Sequence, residues 1–111
     1  MSRESFIDPA AFLEPWELLL QEHRATFERE LQRELSVGHG LVGARCRAVA
    51  RRGDCDAVLF VINEERLAVV HLTWSREFGG VLPGFTEYAS FESFAERDMI
   101  PEHEFYMSCE P

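Results

Sequence analysis

Apolar residues recur every three or four positions early in this chain. From Trp16 onward Leu19, Leu20, His23, Phe27, Leu31 and Leu35 make one stripe, while Glu22, Arg24, Glu28, Arg29, Gln32 and Arg33 fill the opposite face. The spacing predicts a helix over 15–35, opened by Pro15, closed by Gly38 beyond its end, and about 31 Å long at 1.5 Å per residue. Ahead of it, Asp8 and Pro9 in "IDPAAFLEP" have the N-cap and first-turn chemistry of a short helical turn.

After "GHGLVG" the period changes to two. In "LVGARCRAVARR" Ala44, Cys46, Ala48 and Ala50 alternate with Arg45, Arg47, Val49 and Arg51. Gly53–Asp54 is a hairpin-turn pair, "AVLFVI" (57–62) is apolar on both faces like a central strand, "NEER" makes a second turn, and "LAVVHLTW" (67–74) is a third strand. Three strands joined by tight turns predict an antiparallel meander. "SREFGGVLPGF" is a long connection, a short fourth strand is expected near Thr86–Tyr88, and Ser90 can cap a brief helix, "FESFAERD", with Phe91, Phe94 and Ala95 inward. Met99, Ile100, Phe105 and Tyr106 are expected to dock the chain end on the body. The fold class is α+β in a single domain over 1–111: a three- to four-stranded antiparallel meander with a long N-terminal helix and a short C-terminal helix packed on one face.

Two-residue turns at 53–54 and 64–65 would pair Arg51 with Asp56, Arg47 with Phe60, Val58 with His71 and Asp56 with Thr73. One sheet face would then hold Ala44, Cys46, Ala48, Ala50, Cys55, Ala57, Leu59, Val61, Ala68, Val70, Leu72 and Trp74, which is the expected core. The other would hold Arg45, Arg47, Val49, Arg51, Asp56, Val58, Phe60, Ile62, Leu67, Val69, His71 and Thr73. That mixed face is either partly covered by the C-terminal segment or open to a partner or a second copy.

Composition narrows the functions. In 111 residues with 46% hydrophobic content, a core can form without disulfide or metal. Sixteen Glu and four Asp stand against eleven Arg and no Lys, giving a net charge of −9. Nucleic acid and anionic membrane both need a positive surface, so neither is expected as a partner; a basic protein is compatible, as is simple solubility. No apolar run reaches the ~18 residues of a membrane span, and the N-terminus lacks the apolar core of a signal peptide, so a cytoplasmic protein is expected. Cys46, Cys55 and Cys109 are too few and too widely spaced for a disulfide framework or a zinc site, and no cofactor is expected.

Candidate chemistry is sparse. With a two-residue first turn a Cys55–His71 dyad fails, because alternation sends the two side chains to opposite faces; a turn one residue longer or shorter would change that. The surviving candidate is a polar corner of His71, Asp56 and Arg51, with Arg47 and Thr73 beside it, where Asp56 would orient the imidazole and the arginines would meet an anionic ligand or partner. The competing roles are ordinary: a structural histidine, an Asp56–Arg51 ion pair, a turn residue at Asp54. His23 reads as core edge and His39, between glycines, as an exposed loop residue. "EHE" at 102–104 lacks helical histidine spacing for a metal, and "GGVLPG" lacks the lysine of a phosphate loop.

"DCDAVLF…LAVVHLTWS" followed by "FTEYASFESF" resembles a family of short bacterial proteins of unassigned function. The likeness covers roughly 16–100 and rests on Asp54, Asp56, Val58–Phe60 and Val70–Trp74. It implies a compact α+β domain and transfers no catalytic residue. The expectation for function is a non-enzymatic protein-binding module of the immunity or antitoxin kind, monomeric or homodimeric, with an acidic face for a basic partner. The alternative is a small-ligand binder or enzyme using the His71, Asp56 and Arg51 corner.

Overall fold

The computed structural model describes residues 12–35, 39–53, 55–74 and 84–108. The Asp8–Pro9 turn, Gly38, Asp54, most of the connection after Trp74, and Cys109 lie outside them. Along the chain the elements are β1 (Trp16–Leu18), α1 (Gln21–Glu34), β2 (Cys46–Arg52), β3 (Ala57–Ile62), β4 (Arg66–His71), β5 (Gly84–Tyr88), α2 (Phe91–Phe94), a π turn (Ala95–Met99) and α3 (Ile100–Ser108). The five strands make one antiparallel sheet in chain order. The α+β class and the meander match the expectation from periodicity, with two corrections to its detail.

The first correction concerns where the helix begins. Trp16–Leu18 is an edge strand, pairing Trp16 with Arg52 and Leu18 with Ala50, and α1 starts only at Gln21. "WELLL" fits a helical stripe, but three residues cannot distinguish periods of two and 3.6. Pairing along the open edge of β2 decides it, satisfying backbone groups that a helix there would leave exposed. The helix is therefore 14 residues, about 21 Å long.

The second concerns the sheet faces. Arg51 pairs with Val58, Ala50 with Leu59 and Ala48 with Phe60, so Val49 is the extra residue of a β-bulge. The second hairpin turns through Asn63, Glu64 and Glu65, with Asn63 and Glu64 at φ 53° and 61°, and Ala57 rather than Val58 faces His71. Each one-residue slip moves side chains to the other face. Val58, Phe60, Ile62, Ala68, Val70, Cys46 and Ala48 pack under α1 with Leu31, while Ala57, Leu59, Val61, Leu67, Val69, Val49 and Ala50 pack with Phe94 and Met99. Both faces are covered, one by α1 and the other by the C-terminal helices, so the two helical elements do not share a face. Cys55, expected in the core, is exposed at the first hairpin; Cys46 is buried as expected.

Ser90 caps α2 as its sequence suggests, its Oγ accepting the Ser93 N–H at 3.1 Å. The helix then widens so that the Ile100 N–H reaches the Ala95 carbonyl. Pro101, one residue later, has no N–H and its ring needs room at the carbonyl four residues back, which the wider turn supplies. Met99 docks on the sheet, but Ile100, Phe105 and Tyr106 do not: all three are exposed and α3 buries no residue. Among the described residues no helix is long and apolar enough to cross a membrane.

A buried bulge must dispose of the backbone groups it takes out of the ladder. Here the Ala48 N–H donates to Glu28 Oε2 at 2.9 Å, and the Val49 carbonyl accepts the Leu19 N–H at 2.9 Å. Glu28→Ala leaves the Ala48 donor without its acceptor and is expected to lower the unfolding free energy by roughly 1–3 kcal/mol in urea titration. The exposed control Glu22→Ala should change it by no more than about 0.5 kcal/mol.

Candidate functional site

The corrected registers take the expected polar corner apart. His71 is exposed at the end of β4 opposite Ala57, on the side of the C-terminal helices. Arg51 lies opposite Val58, on the α1 side, with its guanidinium over the Phe27 ring at 5.9 Å and its Nε 3.6 Å from Glu17. Arg47 is opposite Val61 and so shares the side of His71, four residues from Arg51 along the same bulged strand. Asp56 is exposed, and its carbonyl accepts the Leu72 N–H at 3.1 Å. A site joining His71, Asp56 and Arg51 is not assembled, because the bulge and the longer second turn place Arg51 and His71 on opposite faces.

Thr73 belongs instead to a carboxylate clamp at the end of α1. Glu34, a buried residue, accepts from Thr73 N–H at 2.8 Å, Thr73 Oγ1 at 2.9 Å and Trp74 N–H at 2.7 Å. Those donors secure Trp74 at φ 56°, a left-handed conformation that costs a bulky L-residue roughly 1–2 kcal/mol. Glu30, also buried, sits one turn earlier and takes both the Nε and Nη2 donors of Arg33, at 2.9 and 2.5 Å. Burial raises the Glu34 carboxyl above its usual range, and Glu30 raises it further, against the lowering effect of the Thr73 and Trp74 donors. The clamp left a trace in the sequence: Glu34 stands seven residues after Phe27 and three after Leu31, inside the apolar stripe.

The remaining histidines and acids are also positioned by structure. His39 is buried, not exposed, with Nδ1 accepting the Leu41 N–H at 3.1 Å and its ring 5.0 Å from Phe85. His23 is exposed rather than at the core edge. Glu102 of "EHE" receives Trp16 Nε1 at 2.7 Å and Arg52 Nη1 at 3.1 Å, locking the start of α3 to β1 and β2. Tyr88 donates to Asp98, and burial with that carboxylate holds its hydroxyl well above the ordinary phenol range. Among the described residues no three His, Cys, Asp or Glu side chains gather as metal ligands.

Among the described residues, two of the open surfaces join exposed apolar side chains to charged groups. One is a groove of about 510 Å³ between β1, the start of α1 and Arg51. The other is α3, around which Phe105 is 68% exposed, Tyr106 40% and Met107 47%, next to Glu104. Periodicity could not reveal the second, because aromatic residues near a chain end read as docking groups.

Burial of Cys46 and the Glu28 carboxylate push its thiol up to about 11. At pH 8 a thiol reagent should therefore label Cys55 in the folded protein and Cys46 only on unfolding, as peptide mass mapping would show. For Glu34, the raised folded value means that the folded state holds the proton more tightly than the unfolded chain. The resulting stabilisation is complete below the ordinary value of 4.5 and is lost as pH rises through the raised one. Glu34→Gln, which cannot titrate, should flatten the dependence of Tm on pH across that window; parallel wild-type and variant profiles would contradict the assignment. No family model, curated protein or solved structure matches this chain.

Proposed function

We propose that the protein is a small, cytoplasmic, non-enzymatic binding module of the immunity or antitoxin kind, which lays its C-terminal helix against a basic protein. The observation that carries this reading is α3 itself, a helix of nine residues without one buried side chain. It displays Ile100, Phe105, Tyr106 and Met107 to solvent. Over 91–108 the chain carries Glu92, Glu96, Asp98, Glu102 and Glu104 against Arg97; Glu102 is engaged by Arg52 and Asp98 by Tyr88, while Glu92, Glu96 and Glu104 are exposed. Exposed aromatics within an acidic surround have the composition of a binding hot spot, and the negative field speeds encounter with a positive partner.

The helix is also held rigidly enough to be presented. Phe94 and Met99 anchor the segment before it, and Glu102 ties its first turn to Trp16 and Arg52. Less ordering is then required on binding, which favours affinity. The alternative reading, a His71, Asp56 and Arg51 corner, gains nothing from these registers, because Arg51 and His71 leave the sheet on opposite faces.

The test compares wild type with Phe105→Ala/Tyr106→Ala, both exposed sites, as baits in the native host's lysate, followed by kinetics on the purified partner. A basic protein retained by wild type should bind the double variant at least roughly 30-fold more weakly. Its association rate with wild type should fall as salt is raised. Capture that the double variant leaves unchanged, or capture of acidic proteins only, would overturn the proposal.

A further inference from the structure

The groove beside α1 carries a second reading, independent of α3. It is lined by Leu20 and Phe27 together with Arg51, Glu17 and His23, while Leu18, opposite Ala50, turns its side chain to the face away from Arg51. Leu20 is 59% exposed, so the β1–α1 junction presents to the groove a leucine that the core does not take up. A volume of about 510 Å³ is within the usual range for a small-molecule site.

Arg51 supplies the chemistry. Its guanidinium lies over the Phe27 ring at 5.9 Å and lines the groove; a guanidinium held against a ring face keeps its N–H edge for polar partners. The group opposite that edge is a carboxylate of the chain itself: Glu17 Oε1 lies 3.6 Å from Arg51 Nε. At that length the contact is an ion pair without the two short parallel bonds of a fork, and both side chains are 40% or more exposed. Exposed pairs of this kind hold together by no more than about 1 kcal/mol. Glu17 therefore marks the place of an anion without filling it tightly.

We propose that this groove binds a small apolar monocarboxylate. Its carboxylate takes the Arg51 fork in place of Glu17, and its aromatic or branched aliphatic body lies against Leu20 and Phe27. In a chain of net charge −9, a cation flanked by an open leucine and a phenyl ring selects that combination. A purely ionic ligand would leave Leu20 wet, and an apolar neutral one would leave Arg51 with its loose internal pair.

The experiment titrates the full-length protein with 3-phenylpropionate and, separately, with 3-phenylpropionamide, following backbone amide resonances. The carboxylate should give saturable shifts at Leu18, Leu20 and Thr26 with a Kd of about 1 mM or below, and the amide should bind at least tenfold more weakly. Arg51→Gln should weaken the carboxylate at least tenfold at unchanged Tm. Glu17→Gln, which removes the competing carboxylate, should tighten it about twofold to fivefold. Equal binding of acid and amide, absence of saturable shifts, or full binding by Arg51→Gln would overturn the proposal. Should Arg51→Gln lower Tm by several degrees, the acid–amide comparison on the unaltered chain decides alone. Loss of this site would leave the partner-binding reading of α3 untouched.

Discussion

Six consecutive apolar residues in the middle strand cannot be shielded by one helical layer. Ala57–Ile62 alternate between two faces and all six are buried, so the sheet needs a cover on each side. Each large aliphatic or aromatic side chain taken from water there contributes about 1.5–3 kcal/mol, and leaving either face open would forfeit several such contributions. α1 supplies one cover through Leu31 and Phe27, and the C-terminal helices supply the other through Phe94 and Met99. The paths of the remaining elements follow from that requirement.

Glutamates then fasten the layers together. Glu28 reaches from α1 to the bulged strand, Glu34 from the end of α1 to Thr73 and Trp74, and Glu102 from α3 to Trp16 and Arg52. A carboxylate near a protein interior is costly unless its oxygens accept hydrogen bonds, and each of these oxygens faces donors that would themselves be left without acceptors. A part of the chain's acidity is thus committed to its architecture, which composition alone could not separate from acidity available to a partner.

What remains outside is unevenly distributed. The C-terminal segment concentrates acidic and aromatic groups, whereas the groove beside α1 joins a leucine to an arginine. These chemistries lie on opposite sides of the sheet, since Arg51, with Leu20 beside it in the groove, leaves the sheet toward α1 and α3 belongs to the other cover. One chain could therefore serve a basic macromolecular surface and an apolar anion without competition between them.

The periodicities and end signals in the chain were enough to specify the class: an amphipathic helix around Phe27 and Leu31, a fully apolar central strand, two hairpins, and a helix capped by Ser90. These depend on local spacing and local backbone chemistry, which a linear sequence contains. Strand register was beyond its reach, because a bulge at Val49 and one extra residue at Asn63–Glu65 change local periodicity little yet turn over the faces of whole strands. With register went the candidate site, since His71 and Arg51 meet or separate according to a one-residue shift. Whether an apolar residue is core or surface was equally a tertiary matter: Phe94 and Phe105 look alike in sequence, and only the packing of α2 and the π turn, which already covers the sheet, leaves Phe105 in water.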